Sequence, residues 1–212
     1  MKITLRILSL FLCLLILLPI SSCGAPSLDE VKERFTELIE ASYEINEIFF
    51  GTGLETHVRG GEFAEAHRIY DELSNGYEAY EIVADTTNYV DLDAIKAAAE
   101  KVYSADYLKG IYTMAFDGYA DTNTGNVTTA RYLMDGYFLL RYAAGSEDSF
   151  DILKGKQRRY DFDSMSITRP SRASYVNVSI DSYLIGDEEN ILNVTLRFVL
   201  TDGEWYLDSP TY

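Results

Sequence analysis

Cysteine is nearly absent. Among 212 residues only Cys13 and Cys23 are cysteines, and nothing after position 23 carries a thiol. From residue 24 onward the chain can form no disulfide, offer no thiolate nucleophile and hold no metal through sulfur. A body of this size can bury a core without such staples. Histidine is limited to His57 and His67, and tryptophan to Trp205. The H-E-x-x-H, G-x-S-x-G and P-loop patterns are missing, and no G-x-G-x-x-G follows a strand-like run. Positive charge is scarce as well: 18 Lys and Arg stand against 34 Asp and Glu, for a net charge of −16. That balance excludes nucleic acid, whose binding relies on Lys and Arg neutralising phosphates. It is compatible with a cationic partner or with Ca²⁺ held by clustered acids, although a solvated acidic surface is the simpler account.

What is present begins with a leader. Lys2 and Arg6 precede an apolar run, Ile7 to Ile20, interrupted only by Ser9 and Pro19. A basic stretch followed by an apolar one is the pattern of a secretory signal. A membrane-spanning helix needs about 20 apolar residues to cross about 30 Å of hydrocarbon. This run has 14, and Pro19 stops it near its end. Ile20-Ser21-Ser22-Cys23 then resembles the lipobox of bacterial lipoproteins: an aliphatic residue, two small ones and a cysteine. Ile20 and Ser22 are mild departures from the Leu and the Gly or Ala more usual there. The resemblance implies cleavage before Cys23 and a diacylglyceryl group on that cysteine. The body would then be held at the extracytoplasmic face of the cell membrane. A plain cleaved signal is the alternative. Two acyl chains anchor stably where one holds only marginally. Gly24 follows, so no acidic sorting signal stands beside the cysteine. Loss of the leader removes two positive charges and no negative one, and the more acidic remainder is repelled by anionic lipid and wall polymers.

The remaining chain reads as one α+β domain over 28–212, joined to Cys23 by a short tether, 23–27, with the leader over 1–22. Ser27-Leu28-Asp29-Glu30 fits a capping box. Val31, Phe35, Leu38, Ile39, Ser42, Ile45 and Phe49 follow at helical spacing, with Gly51 as the stop. Glu62 to Leu73 reads as a shorter helix, Asn75-Gly76 as a turn and Tyr77 to Ala84 as a strand. Asp91 or Asp93 can cap a helix through Ile95, Ala99 and Val102, and Ser104 another through Leu108, Ile111 and Ala115. The helical part thus covers about 28–116. The period then changes, and a curved antiparallel β-meander is expected over about 127–212. Asp135-Gly136 signals a hairpin. Val176, Val178 and Ile180 alternate, as do Leu192, Val194, Leu196, Phe198 and Leu200, each set marking one face of a strand. Asp202-Gly203 turns the chain into Trp205-Tyr206-Leu207.

This order of elements, closing on Asp202-Gly203-Glu204-Trp205, resembles cystatin-like and NTF2-like folds, in which a sheet wraps a helix. The amount of helix before the sheet exceeds what those folds usually hold. Glu47-Ile48-Phe49-Phe50-Gly51-Thr52-Gly53-Leu54 and the ending Trp205 to Tyr212 look like uncharacterised lipoproteins of Gram-positive anaerobes, a likeness that implies lineage and no activity. A fainter likeness is to the secreted DL-endopeptidase inhibitors of Gram-positive cells, and no inhibitory residue maps from them onto this chain.

No constellation in the sequence demands catalysis. His57 and His67 stand ten residues apart across Gly60-Gly61, which is no metal-ligand spacing. Gly51-Thr52-Gly53 follows a helix and reads as a cap, not as a phosphate cradle. Neither Asp85, Asp91 and Asp93 nor the run from Asp117 to Asn123 matches an EF-hand loop. Strict alternation would set Arg159, Asp161 and Asp163 on one strand face, a surface ion network or, in an NTF2-like cone, a place for an isomerase's acidic base. The 17 tyrosines suit a half-buried sheet or a stacking surface for glycan or peptide. No cofactor and no metal are expected. The function expected is a non-enzymatic binding module for an envelope protein or cell-wall component; alternatives are an inhibitor of a cell-wall peptidase and a small-molecule or isomerase-type cone.

Overall fold

A computed structural model describes residues 24–57, 80–120, 127–143 and 150–212. The leader with Cys23, the helix expected over Glu62–Leu73, the Asn75-Gly76 turn and the end of the run from Asp117 to Asn123 lie outside the described residues.

Helix α1 runs from Leu28 to Phe50. Glu30 reaches back so that its carboxylate accepts from the Ser27 amide at 2.7 Å and from the Ser27 hydroxyl at 2.9 Å. At the far end the Gly51 amide donates to the carbonyls of Asn46 and Glu47 at 3.1 and 3.2 Å. The face between these caps carries Val31, Phe35, Leu38, Ile39, Ile45, Ile48 and Phe49, all buried. Helix α2, Leu92–Ala99, starts on Asp91, whose carboxylate accepts from the Ala94 amide at 2.8 Å. Helix α3, Ala105–Tyr112, starts on Ser104, which accepts from the Tyr107 amide at 3.1 Å and continues into one π-helical turn, Thr113–Asp117.

The described strands fall into three antiparallel sheets. Strand β1 is Tyr80–Ile82; β2, Tyr119–Ala120, pairs with β3, Val127–Thr128. Strands β4, Tyr132–Asp135, and β5, Phe138–Tyr142, form a hairpin whose free edge is taken by β1, giving the order β1-β5-β4. The third sheet is an uninterrupted meander of β6 (Arg158–Arg172), β7 (Tyr175–Leu184), β8 (Asp187–Thr201) and β9 (Glu204–Leu207). In the β8–β9 turn both Asp202 and Gly203 hold positive φ, 53° and 87°, the requirement of a primed two-residue hairpin turn.

Helix α1 lies against the meander. Val176, Val178, Ile180, Leu196 and Phe198 line the covered face and are essentially free of solvent. Burying each such side chain contributes roughly 1.5–3 kcal/mol. Ile95, Ala99, Leu108 and Ile111 of α2 and α3 join the same core. Those helices are tied to the last strand, since the Leu207 amide donates to Val102 at 2.9 Å and the Ser104 amide donates to the Leu207 carbonyl at 2.7 Å. A smaller cluster, Tyr80, Ile82 and Leu140, sits in the three-stranded sheet.

The fold is α+β, with a helix first and a strand meander after it. Two details differ from the sequence reading. The Asp135-Gly136 hairpin does not open the meander; it belongs to a separate sheet, because β1 from the helical half pairs with β5. The inward register of β8 holds, but only its middle is covered. Leu192, paired with the buried Ser182, is 56 % exposed, since the packed core ends before that register position.

Candidate functional site

Among the described residues four groups of polar side chains bear on function, and their geometry assigns most of them to structure. The first is the end of α1. Its last turn contains no basic residue, yet a helix C-terminus carries partial negative charge and unsatisfied carbonyls. The hairpin supplies what is missing. Arg131, only 1 % exposed, donates to the Gly51 carbonyl at 2.6 Å, Arg141 donates to the Thr52 carbonyl, and the Tyr132 hydroxyl donates to Ile48 at 2.9 Å. The Leu54 amide donates in turn to the Tyr132 oxygen at 2.9 Å. Gly53 has φ +80°, and a Cβ there would meet Arg131, Arg141 and Tyr132 within 3 Å. Gly51-Thr52-Gly53 is therefore a gripped helix cap, as its position after a helix implied. Nothing in the sequence marked Arg131 as buried.

The second is a knot between α1, the link joining α2 to α3, and the last residues. The Thr211 hydroxyl lies 2.7 Å from Ser42 Oγ, 2.8 Å from Asn46 Nδ2 and 2.8 Å from the Tyr103 hydroxyl. Tyr103 also donates to Asn46 Oδ1 at 2.8 Å. All four residues are buried and all are neutral. Burial raises the Tyr103 phenol to about 12. The gap beside this knot, lined in part by Tyr43, Gln157 and Arg159, holds about 10 Å³, room for about one water. It is no substrate cavity.

The third is the groove of about 500 Å³ where α3 begins against β8 and β9. Ser104 Oγ donates to Asp208 Oδ1 at 2.5 Å, and Arg197 pairs with the other Asp208 oxygen at 3.1 Å. The serine oxygen is already the α3 cap, and the residues lining the groove include no histidine or lysine to activate it.

The fourth concerns Asp161 and Asp163. The β6–β7 register is interrupted between Asp161 and Ser166, so strict alternation does not carry through. Ser164 fills the break, donating to the Asp161 carbonyl at 2.6 Å and accepting from the Asp181 amide at 2.8 Å. Asp161 lies opposite Asp181, a like-charge pairing that disfavours the sheet. Asn193 relieves it by donating to Asp181 at 2.8 Å. Asp163 turns instead to Lys32 of α1 at 3.2 Å, while Arg159 stacks over the Tyr43 ring at 4.1 Å and donates to Gln157 at 2.6 Å. Asp161 and Asp163 thus stay together, the Asp163 amide donating to Asp161 at 3.0 Å, while the expected ion network gives way to partners on α1. Both acids are exposed, so neither is an inward base for a cone.

These acids border a shallow groove of about 580 Å³ that also takes in Glu188 and Ile191. It leads onto the arm formed by the end of β7 and the start of β8. Residues 187–193 are exposed throughout, and β8 gains its second neighbour, β9, only from Phe198 onward. Ile185, Ile191 and Leu192 are exposed there, interleaved with Asp187, Glu188 and Glu189. This acid-rimmed apolar arm is the best-formed candidate for contact with another molecule.

Many tyrosines act as ties between elements. Tyr80 donates to the Ala130 carbonyl at 2.7 Å, Tyr89 to Glu44 at 2.5 Å and Tyr112 to the Lys96 carbonyl at 3.2 Å. His57 is placed by its amide, which donates to Ile82 at 2.9 Å; His67 lies outside the described residues. Among the described residues no three of His, Cys, Asp and Glu come together to hold a metal ion, and no helix is long and apolar enough to cross a membrane. Cys23 itself lies outside the described residues; Gly24, the next in sequence, is the first of them. The sequence matches no protein-family profile and no curated protein.

Proposed function

We propose that this protein is a lipid-anchored extracytoplasmic lipoprotein whose body is a non-enzymatic binding module, presenting the β7–β8 arm to a basic envelope protein. The anchor rests on the leader and on Ile20-Ser21-Ser22-Cys23. The binding role rests on one observation: Leu192 holds an inward register position on β8 yet is 56 % exposed, beside exposed Ile191 and a row of acids. An apolar patch rimmed by charge marks an interaction site, and the rim selects a partner of opposite sign. A helix laid on a four-strand meander supports a cystatin-like or NTF2-like lineage, with the β1-β5-β4 sheet as an addition.

Cross-linking on intact envelope tests the binding role. The native chain should capture a basic protein, and Ile191→Asp with Leu192→Asp should abolish capture while leaving the unfolding midpoint in place, because both side chains are already in solvent. No partner recovered, together with turnover of a small substrate, would sink the reading. For the anchor, Cys23→Ser should release the protein from the membrane without unfolding it; a variant that stays bound refutes the lipid. A projecting arm also suits insertion into a peptidase cleft. That second reading requires the purified body, in excess, to slow digestion of peptidoglycan by a wall hydrolase.

A further inference from the structure

The tether does not leave the domain at a bare surface. Ala25 and Pro26 lie in a groove of about 630 Å³ together with Val31 of α1, Ala173 of the β6–β7 turn, Leu200 of β8 and Trp205 of β9. Leu200 and Trp205 sit directly opposite one another across the β8–β9 ladder. Trp205 meets Phe35 edge-on at 5.3 Å and remains partly open to solvent. The carboxylate on this rim, Glu30, is turned back onto Ser27, where it completes the helix cap. The lining is otherwise free of charged side chains. The charged residues that flank this lining in sequence are mixed: Lys32, Arg34, Arg169 and Arg172 stand against Asp29, Glu33, Asp202 and Glu204. Attraction to anionic lipid is therefore not what this end offers. It offers an apolar ring with a polar indole edge, the composition that favours the bilayer–water boundary.

We propose that this end of the domain, centred on Leu200 and Trp205, is a lipid-docking face that lies in the interfacial zone of the bilayer. The inference rests on the lipoprotein reading above. If Cys23 carries acyl chains, those chains begin one residue before Gly24, which itself lines this groove, and a tether lying in the groove leaves little length for the body to swing clear. The occupant is the bilayer surface, held by the chain's own anchor. Helix α1 then stands away from the membrane. Its 23 residues span about 34 Å, and its outer end is gripped by the β4–β5 hairpin, whose tip residue Tyr137 is 97 % exposed.

Trp205 is the single tryptophan of the chain, so its emission reports on this face alone. The experiment uses the full-length chain processed in a lipoprotein-producing host and reconstituted into phosphatidylcholine vesicles, with or without a phospholipid carrying a nitroxide on its headgroup. Intact mass first establishes whether Cys23 carries the diacylglyceryl group. The acylated protein should lose about half or more of its Trp205 emission in the nitroxide vesicles, because interfacial tryptophan sits at headgroup depth. The Cys23→Ser chain mixed with the same vesicles should lose little. In the acylated pair Trp205→Phe, Tyr137→Trp the tryptophan moves to the far tip and should escape quenching. An acylated chain whose Trp205 is unquenched, or whose tip tryptophan is quenched more, overturns the docking face while leaving the anchor intact. A chain without acyl groups at Cys23 overturns both.

Discussion

The ring of Phe35 lies flat on the ring of Phe198, with centroids 3.8 Å apart and planes within 4° of each other. This contact joins the first helix to the eighth strand at the centre of the molecule, and Trp205 closes it from the side. Phe35→Ala would leave a hole that the sheet cannot collapse into. We expect a loss of about 3–5 kcal/mol, read from the urea midpoint, with a change in Trp205 emission. Phe35→Leu should lose less.

The Thr211 knot offers a test of polar burial. Thr211→Val keeps the shape and removes the hydroxyl that Ser42, Asn46 and Tyr103 share, so the variant should be destabilised by about 1–3 kcal/mol. Thr211→Ser keeps the hydroxyl and should recover most of that loss. Equal midpoints for the Val and Ser variants would mean that packing, not hydrogen bonding, holds this corner.

Two glycines should respond in opposite directions to alanine. Gly53→Ala forces φ +80° on a residue with a Cβ and pushes that carbon within 2.7 Å of an Arg131 nitrogen. About 1–3 kcal/mol should be lost. Gly110 lies within α3, and a Cβ there meets nothing within 4 Å. Gly110→Ala should therefore gain about 0.5–1 kcal/mol from helix propensity. Paired thermal melts of the two variants check both signs.

Alkali should unfold the protein by a defined route. Burial raises the phenols of Tyr43 and Tyr103 to about 12, while unfolded tyrosine titrates near 10. Below about pH 10 both states keep these protons and stability does not change on their account. Between about 10 and 12 the unfolded chain releases protons that the fold retains, so stability falls as pH rises. The part of the tyrosinate absorbance that comes from the buried phenols should appear together with the loss of far-ultraviolet circular dichroism. Gradual titration with the dichroism unmoved would refute the coupling.

How much was legible depended on whether local pattern or distant packing decides a feature. Ser27, Glu30 and Gly51 marked the ends of α1, because caps act within a few residues. The alternation of Val176, Val178 and Ile180 marked a covered strand face. Alternation also gave Leu192 the correct register, but exposure there depends on where the packed core ends, which period-two counting does not contain. Alternation rightly left Asp161 and Asp163 together on the exposed side, where the Asp163 amide donates to Asp161 at 3.0 Å, but it could not show that Asp163 pairs with Lys32 or that Arg159 turns to Tyr43, since those partners lie on α1. Arg131 was illegible altogether. Its burial answers a carbonyl 80 residues away.

The Phe35–Phe198 stack and the Thr211 knot have a kinetic consequence. Phe198 and Thr211, which seal the middle of α1, stand far beyond it in sequence, Thr211 169 residues after Ser42, so no early segment buries this part of the helix on its own. Loop-closure entropy is spent before those distant pairings return any stability, which slows folding. A chain leaving the ribosome therefore cannot seal this core until its final strands emerge. Refolding from denaturant should be correspondingly slow, and Phe198→Leu should slow it further only if this contact already forms in the transition state.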